Sequence, residues 1–220
     1  MPRVKICCIG SRDEAHLAIR HGADALGLVS AMPSGPGPIG EDVIADIVAT
    51  VPPPIATFLL TCLTDADAII DQQHRCGTNT LQLVDAVSIN TYAKLRRALP
   101  GIGIVQVIHV RDHESVREAC ALAPQVDALL LDSGNPDLAV KELGGTGRVH
   151  DWSLSRRIVQ ACGRPVFLAG GLRADNIVAA VTSVCPFGVD LCSGVRSEDH
   201  LDEPKLAAFF AALPFSGVPA

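Results

Sequence analysis

The sequence predicts an α/β fold, a single-domain (β/α)8 barrel (TIM barrel) over residues 1–220. Eight short apolar or β-branched segments recur along the chain, and almost every gap between them shows helical spacing of apolar residues. The segments recur about every 27 residues, which leaves room for one strand, one helix and two connections. The predicted strands begin near Val4, Ala23, Ile55, Thr80, Ile102, Asp127, Pro165 and Phe187.

Composition is the third observation that favours this fold. The chain is 48% hydrophobic but only 4% aromatic, so small and branched aliphatic residues must fill the core. Such residues suit helices that pack closely on a sheet. A chain of 220 residues can bury a substantial core as one domain, and no low-complexity linker divides it.

Local signals mark the ends of the predicted helices. A capping-box pattern at residues 11–14 and a glycine at Gly22 bound the first helix, which is predicted over Arg12–His21. A second signal at residues 64–67 begins a helix that Gly77 ends. Two further helices are predicted over residues 112–122 and 174–183.

Charge and hydropathy exclude two classes of partner. The net charge is −6 without a basic block, so nucleic acid is not an expected partner. Apolar segments of roughly four to eight residues are too short to cross a bilayer, so no membrane partner is expected either. The eight cysteines form no CxxC pair and the first residues lack a signal-peptide profile. These features predict a cytoplasmic protein with reduced thiols.

Two long connections follow predicted strands, at residues 30–40 and 133–150. The carboxyl ends of the strands carry the chemistry of a TIM barrel. We therefore expect these loops to close over a substrate.

The first strand places Lys5 and Cys7 on one face, which we expect to point into the barrel, while Cys8 points towards the helices. The first and last strands meet when a barrel closes, so Asp190 is the expected partner of Lys5. Spacing alone favours a packing role for Cys7 over a chemical one. Asp132, at the end of the sixth strand, is equally compatible with a cap and with an acid–base group.

Glycine-rich segments follow the sixth, seventh and eighth strands, where a TIM barrel usually binds phosphate. A turn explains each segment alone, but three on neighbouring loops favour an anion site. The predicted phosphate-binding residues are Gly144, Gly145, Gly147, Gly170, Gly171, Ser193 and Gly194.

No metal site is predicted. His109 and His113 are four residues apart, but they lie across a strand end and a helix start, so helical ligand geometry does not follow. The chain contains neither a Gly-x-Ser-x-Gly elbow nor a Walker loop.

Motifs along nearly the whole chain resemble those of the phosphoribosylanthranilate isomerase family of tryptophan biosynthesis. They are VKICCIG at 4–10, HGADALGLV at 21–29, LQL at 81–83, LLLD at 129–132, GGTG at 144–147, DWS at 151–153, AGGL at 169–172 and PFGVDLCSGV at 186–195.

The resemblance implies a cofactor-independent Amadori rearrangement of N-(5-phosphoribosyl)anthranilate, a small phosphorylated sugar derivative. It gives Cys7 the position of the general base and Asp132 that of the general acid. The glycine-rich loops match phosphate-binding segments. The family-level expectation for assembly is a monomer or a homodimer.

Three positions depart from the family pattern. Cys8 replaces a glycine, Val84 replaces a histidine, and the loop around Pro36 lacks the arginine that would pair with the anthranilate carboxylate. Arg12 or Arg111 is a possible substitute for that arginine. Two alternatives stay open: a paralogue that acts on another phosphorylated amino sugar, and a catalytically silent barrel that binds sugar phosphates.

Overall fold

Eight parallel strands pair in chain order, and β8 pairs with β1 so that the sheet closes into a barrel. The structure, a computed structural model, describes residues 1–135, 137–138, 140–141 and 149–213. The predicted fold class is confirmed. The barrel strands are β1 Arg3–Ile6, β2 Ala25–Val29, β3 Ala56–Thr61, β4 Thr80–Leu83, β5 Gly103–His109, β6 Ala128–Asp132, β7 Val166–Leu168 and β8 Gly188–Leu191. Two short strands, β9 Arg196–Ser197 and β10 His200–Leu201, form a separate antiparallel pair. The helices are α1 Arg12–His21, α2 Glu41–Val48, α3 Ala66–Cys76, α4 Ile89–Ala98, α5 Glu114–Leu122, α6 Trp152–Ala161, α7 Ile177–Val184 and α8 Glu203–Ala212.

The predicted elements agree closely with the observed ones. Every predicted strand start lies within two residues of the observed start, and α1 has the predicted bounds. The main difference is α7, which was predicted from residue 174 but begins at Ile177. The Asn176 side chain accepts a hydrogen bond from the Arg173 amide at 2.8 Å, and this bond closes a separate turn before the helix.

The apolar residues form two layers that together determine where a pocket can lie. Alternate strand residues such as Leu81 and Leu83 pack outwards against the helices, and Gln82 between them faces inwards. A smaller cluster fills the barrel interior, where the Phe58 and Phe167 rings meet edge to face at 5.9 Å between centroids. Because the interior is packed, the pocket lies at the carboxyl ends of the strands.

A buried ion pair joins the first and last strands. Lys5 and Asp190 are register partners, and Lys5 Nζ donates to Asp190 Oδ1 at 2.8 Å, which confirms the pairing predicted from the sequence. Lys5 is fully buried, and Nζ lies 5.3 Å from the centroid of the Phe58 ring. Burial is the largest single influence and lowers the pKa of Lys5, but the Asp190 carboxylate together with the neighbouring Cys7 and Cys8 raises the pKa above its ordinary value.

The orientation predicted for Cys8 is wrong. Strand β1 ends at Ile6, and Cys8 has a φ of +62° in the left-handed region. The alternation of a strand therefore stops before Cys8, and its side chain faces the barrel mouth rather than the helices. A left-handed residue here explains why glycine is the usual residue in the family that the sequence resembles.

The Lys5–Asp190 pair yields a test of stability. We expect Lys5→Met to lower the free energy of unfolding by about 3–5 kcal/mol, because Asp190 would remain as an unpaired buried charge. The double variant Lys5→Met/Asp190→Leu should recover most of this loss. Urea unfolding measures both changes.

Arg3→Met is the control, since the Arg3–Asp24 pair is largely exposed and should contribute less than about 1 kcal/mol. The expected coupling between Lys5 and Asp190 would be contradicted if the stability losses of the single variants Lys5→Met and Asp190→Leu simply added in the double variant.

Candidate active site

A single pocket at the carboxyl ends of the strands contains every predicted site residue that the structure describes. Its empty space is about 700 Å³, part of it open to solvent. Gly144, Gly145 and Gly147 lie outside the described residues. The predicted residues that line the pocket are Cys7, Asp132, Gly170, Gly171, Ser193 and Gly194.

Cys7 lies at the end of β1 and is only 6% exposed. Its amide donates to the Leu191 carbonyl at 2.7 Å, so the closing strand β8 fixes its backbone. Gly27 on β2 leaves the space that the thiol needs, since a Cβ there would lie 2.7 Å from Cys7 Sγ and 2.9 Å from Lys5 Nζ. Both distances are measured from the same point, so the Cys7 sulfur lies within about 6 Å of the Lys5 ammonium nitrogen.

Two neighbours stabilise the charged form of Cys7. A hydrogen bond from the Cys8 thiol is the largest cause of a lowered pKa for Cys7, burial opposes it, and the Lys5 ammonium group adds to it. Cys7 is thus poised to ionise more readily than an ordinary thiol, as a proton-abstracting group requires.

Asp132 ends strand β6 and contributes a carboxyl group to the same pocket. It is 8% exposed, and its Oδ1 accepts a hydrogen bond from the Ser133 amide at 2.7 Å. Its backbone carbonyl accepts from the Val110 amide at 2.9 Å, which ties the end of β6 to β5. The strand ends thus hold Asp132 and Cys7 on the lining of one cavity, where both can reach a bound molecule.

The loops after β7 and β8 approach each other closely beside these two residues. Gly170 and Gly171 have φ values of +83° and +64°, which glycine adopts without strain. A Cβ on Gly194 would lie well inside 3.0 Å of the Leu172 carbonyl oxygen, so only glycine permits this approach. Gly170, Gly171 and Gly194 therefore present only backbone to the pocket, as the glycines of anion-binding loops do.

In the described part of the chain, no group of three His, Cys, Asp or Glu side chains could hold a metal ion. His109 is buried with Nε2 at 3.2 Å from the Val84 carbonyl oxygen, and His113 contacts Arg157 instead.

Among the described residues, every helix is too short or too polar to span a membrane.

Comparison with known proteins identifies the family. A family model described as N-(5'-phosphoribosyl)anthranilate (PRA) isomerase matches residues 4–212. An isomerase of this name from Haloferax volcanii is 38% identical over 216 residues, which cover 96% of this chain and 93% of the relative. N-(5'-phosphoribosyl)anthranilate isomerase 2 of Methanosarcina mazei is 37% identical over 209 residues, 94% of this chain and 92% of the relative. This chain belongs to the N-(5'-phosphoribosyl)anthranilate isomerase family.

Solved structures of family members have the same barrel. Phosphoribosyl anthranilate isomerase from Thermotoga maritima superposes with a TM-score of 0.82 at 27% identity, over 96% of this chain and 98% of that one. A family structure in complex with reduced 1-(o-carboxyphenylamino)-1-deoxyribulose 5-phosphate superposes with a TM-score of 0.79 at 25% identity, with the same coverage.

This member of the isomerase family differs from the family pattern at the side of the pocket formed by the β2 loop. Ser34, Gly35 and Pro36 line that side, as expected for a loop that covers a substrate. The Ser34 hydroxyl donates to the Lys141 carbonyl at 2.5 Å, so the two long loops meet there. None of the described residues that line the pocket is Lys, Arg or His.

Neither substitute suggested for the missing loop arginine lines the pocket. Arg12 pairs with Asp46 at 3.1 Å on the outer surface, and Arg111 pairs with Asp137. Both guanidinium groups are thus held by carboxylates outside the cavity lining.

Sequence reasoning missed two pocket residues, Gln82 and Cys192. Gln82 lies on the inward face of β4, and its buried Oε1 has no hydrogen-bond partner among the described residues. Alternation with Leu81 and Leu83 was the available signal. Cys192 follows β8 directly, and alternation with the inward-facing Asp190 and the neighbouring Ser193 was the available signal.

Proposed function

We propose that this chain converts N-(5-phosphoribosyl)anthranilate to 1-(2-carboxyphenylamino)-1-deoxyribulose 5-phosphate in tryptophan biosynthesis. The observation that carries the proposal is the presence of Cys7 and Asp132 on one cavity lining, beside two loops that present backbone to the pocket. The Cys7 thiol and the Asp132 carboxyl group, in contact with the same bound sugar phosphate, would supply the base and the acid that the isomerisation needs.

Asp132 is the proposed general acid. In its protonated form it gives a proton to the furanose oxygen, the C1–O bond breaks, and the electron pair remains on that oxygen. The nitrogen lone pair then forms an iminium ion with C1. Its positive charge acidifies the hydrogen on C2.

Cys7 is the proposed general base. Its thiolate takes the C2 proton, and the electron pair of that C–H bond forms the enolamine while the iminium charge is neutralised. Return of a proton to C1 and loss of the C2 hydroxyl proton give the ketone. The lowered pKa of Cys7, caused by the Cys8 hydrogen bond and opposed by burial, favours the thiolate that this step requires.

The loops after β7 and β8, together with Gly144, Gly145 and Gly147, are the proposed phosphate seat. Gly170, Gly171, Ser193 and Gly194 would direct backbone amides at the phosphate group. A fixed phosphate would hold C1 and C2 between the acid and the base, so positioning supplies part of the rate increase.

A second candidate function has one specific observation in its favour. The pocket lining, as far as the structure describes it, offers no cationic side chain to an anthranilate carboxylate. A paralogue that acts on another phosphorylated amino sugar would not need one. Tight binding of ribose 5-phosphate without turnover of the anthranilate adduct would favour that paralogue or a silent barrel.

We expect the enzyme to work in the cytoplasm as a monomer or homodimer and without a cofactor. All eight cysteines are free thiols in the structure.

We predict that Cys7→Ala and Asp132→Asn each lower kcat by at least about a hundredfold, because each removes one acid–base group. The assay supplies phosphoribosylanthranilate made in situ and follows the loss of its fluorescence. Cys185→Ala and Asp71→Asn are matched controls, since both residues are exposed and lie outside the pocket lining.

Wild-type turnover no faster than a buffer blank would reject the proposed reaction. Activity retained in the Cys7 or the Asp132 variant would instead reject the role assigned to that residue.

We predict that Gly194→Ala weakens phosphate binding by about tenfold, because the methyl group forces the β8 loop away from the Leu172 carbonyl. The measurement is titration with inorganic phosphate, together with KM for the substrate. Gly10→Ala is the control, since its methyl would meet only Glu14 Oε2, at 3.7 Å. Unchanged phosphate affinity in a folded Gly194→Ala protein would exclude this loop from the phosphate seat.

A further inference from the structure

Two cysteine side chains meet in the helical layer of the barrel. Cys120 lies on α5 and Cys162 directly follows α6, and their sulfur atoms are 3.3 Å apart. The two residues are 42 positions apart in the sequence, so the fold and not the local chain brings them together. Both are partly exposed, and both are free thiols. Two accessible thiols in contact are the arrangement from which a disulfide forms.

The pair lies at the end of the barrel opposite the candidate active site. Cys120 is in the last turn of α5, and Cys162 is the residue at which α6 ends. Helices that connect parallel strands run antiparallel to them, so the carboxyl ends of the helices lie beside the amino ends of the strands. Neither cysteine lines the pocket. In a TIM barrel this face serves stability, whereas the opposite face carries the chemistry.

Hydrogen bonds fix the two segments that carry these thiols. The Cys162 amide donates to the Ile158 carbonyl at 3.0 Å, so this residue continues the last turn of α6. Two residues later, Arg164 Nε donates to the Ala123 carbonyl at 3.1 Å, which ties the end of α6 to the turn after α5. An S–S bond is about 2.0 Å long, so the sulfurs have to approach each other by about 1.3 Å. Rotation of side chains supplies an approach of this size without a rearrangement of the helices.

We propose that Cys120 and Cys162 form a modification site, at which a peroxide converts the two thiols into a reversible disulfide that links α5 to α6. The bridge closes a loop that contains β6 and the proposed acid Asp132. Such a cross-link restricts the unfolded chain more than the folded one, so it stabilises the barrel. This inference does not depend on the reaction proposed above, since neither thiol belongs to the pocket.

The oxidation balances with hydrogen peroxide as a two-electron oxidant. Burial raises the pKa of Cys162 to about 12, and contact with Cys120 adds to this effect, so Cys162 stays protonated at neutral pH. The first attack is therefore assigned to Cys120. Its thiolate attacks the peroxide, the O–O bond breaks, and a sulfenic acid and hydroxide form; the hydroxide takes up the thiol proton.

The second step forms the bridge. The Cys162 sulfur attacks the Cys120 sulfur, the S–O bond of the sulfenic acid breaks, and the departing hydroxide takes the Cys162 proton and leaves as water. Two thiols thus give two electrons and two protons to one peroxide, which becomes two molecules of water. A dithiol reductant reverses the modification by thiol–disulfide exchange.

The test oxidises the folded, full-length protein with hydrogen peroxide, blocks the remaining thiols with N-ethylmaleimide and maps its peptides by mass spectrometry. We expect a cross-linked peptide pair that contains Cys120 and Cys162 and that dithiothreitol separates. Cys120→Ser and Cys162→Ser each remove one sulfur and should lack the cross-link. Cys185→Ala is the matched control, because it removes an exposed cysteine outside the pair and should keep the cross-link.

Thermal unfolding measures the effect of the bridge on stability. The midpoint of the peroxide-treated wild type should exceed that of the dithiothreitol-reduced protein by about 5–10 °C, because the bridge restricts the unfolded chain. In Cys120→Ser the same treatment should not raise the midpoint. This variant therefore separates the effect of the bridge from oxidation of the thiols in the pocket.

Complete labelling of Cys120 and Cys162 by N-ethylmaleimide after peroxide treatment, or their oxidation without a cross-link, would overturn the proposal. A cross-linked wild type whose midpoint rises no more than that of Cys120→Ser would also overturn it, because such a bridge would strain the helices. Neither measurement uses substrate, so both are separate from the turnover assay that tests the proposed reaction.

Discussion

The buried pair of Lys5 and Asp190 is the interaction on which the pocket depends. It joins the first and last strands across the closure of the barrel, with 2.8 Å between Nζ and Oδ1. Because Lys5 has no access to water, its charge acts on Cys7 through a poorly screened interior. The contact that closes the fold therefore also acts on the proposed base, where Lys5 favours the thiolate and Asp190 opposes it.

Two glycines set the spacing around this pair and the adjoining loops. Gly27 leaves room for the Cys7 sulfur and the Lys5 ammonium group, and Gly194 lets the β8 loop touch the Leu172 carbonyl. A methyl at either position would require main chain or a buried charged group to move. Close approach of strands and loops thus shapes the described part of the site.

Periodicity was enough to predict the barrel, its strand starts and the Lys5–Asp190 contact, because these follow from alternation and from closure of the sheet. The orientation of Cys8 could not be predicted, since strand alternation ends one residue before Cys7 and a left-handed φ leaves no trace in apolar spacing. The inward position of Gln82 was available from its neighbours. The position of Cys192 was likewise available, because it lies two residues after the inward-facing Asp190 and directly before Ser193.

The proposed reaction chemistry and the proposed choice of substrate involve different elements around this pocket. The proposed acid, base and phosphate seat would act on atoms of the sugar phosphate, and they lie at the ends of β1, β6, β7 and β8. The β2 loop and the end of β4 face the remaining side, where Ser34, Pro36 and Val84 supply no charge. Substitutions on that side can change the group attached to the sugar without disturbing proton transfer. The departures from the family pattern at Pro36 and Val84 lie on this side of the pocket, so we expect them to affect recognition of the group attached to the sugar.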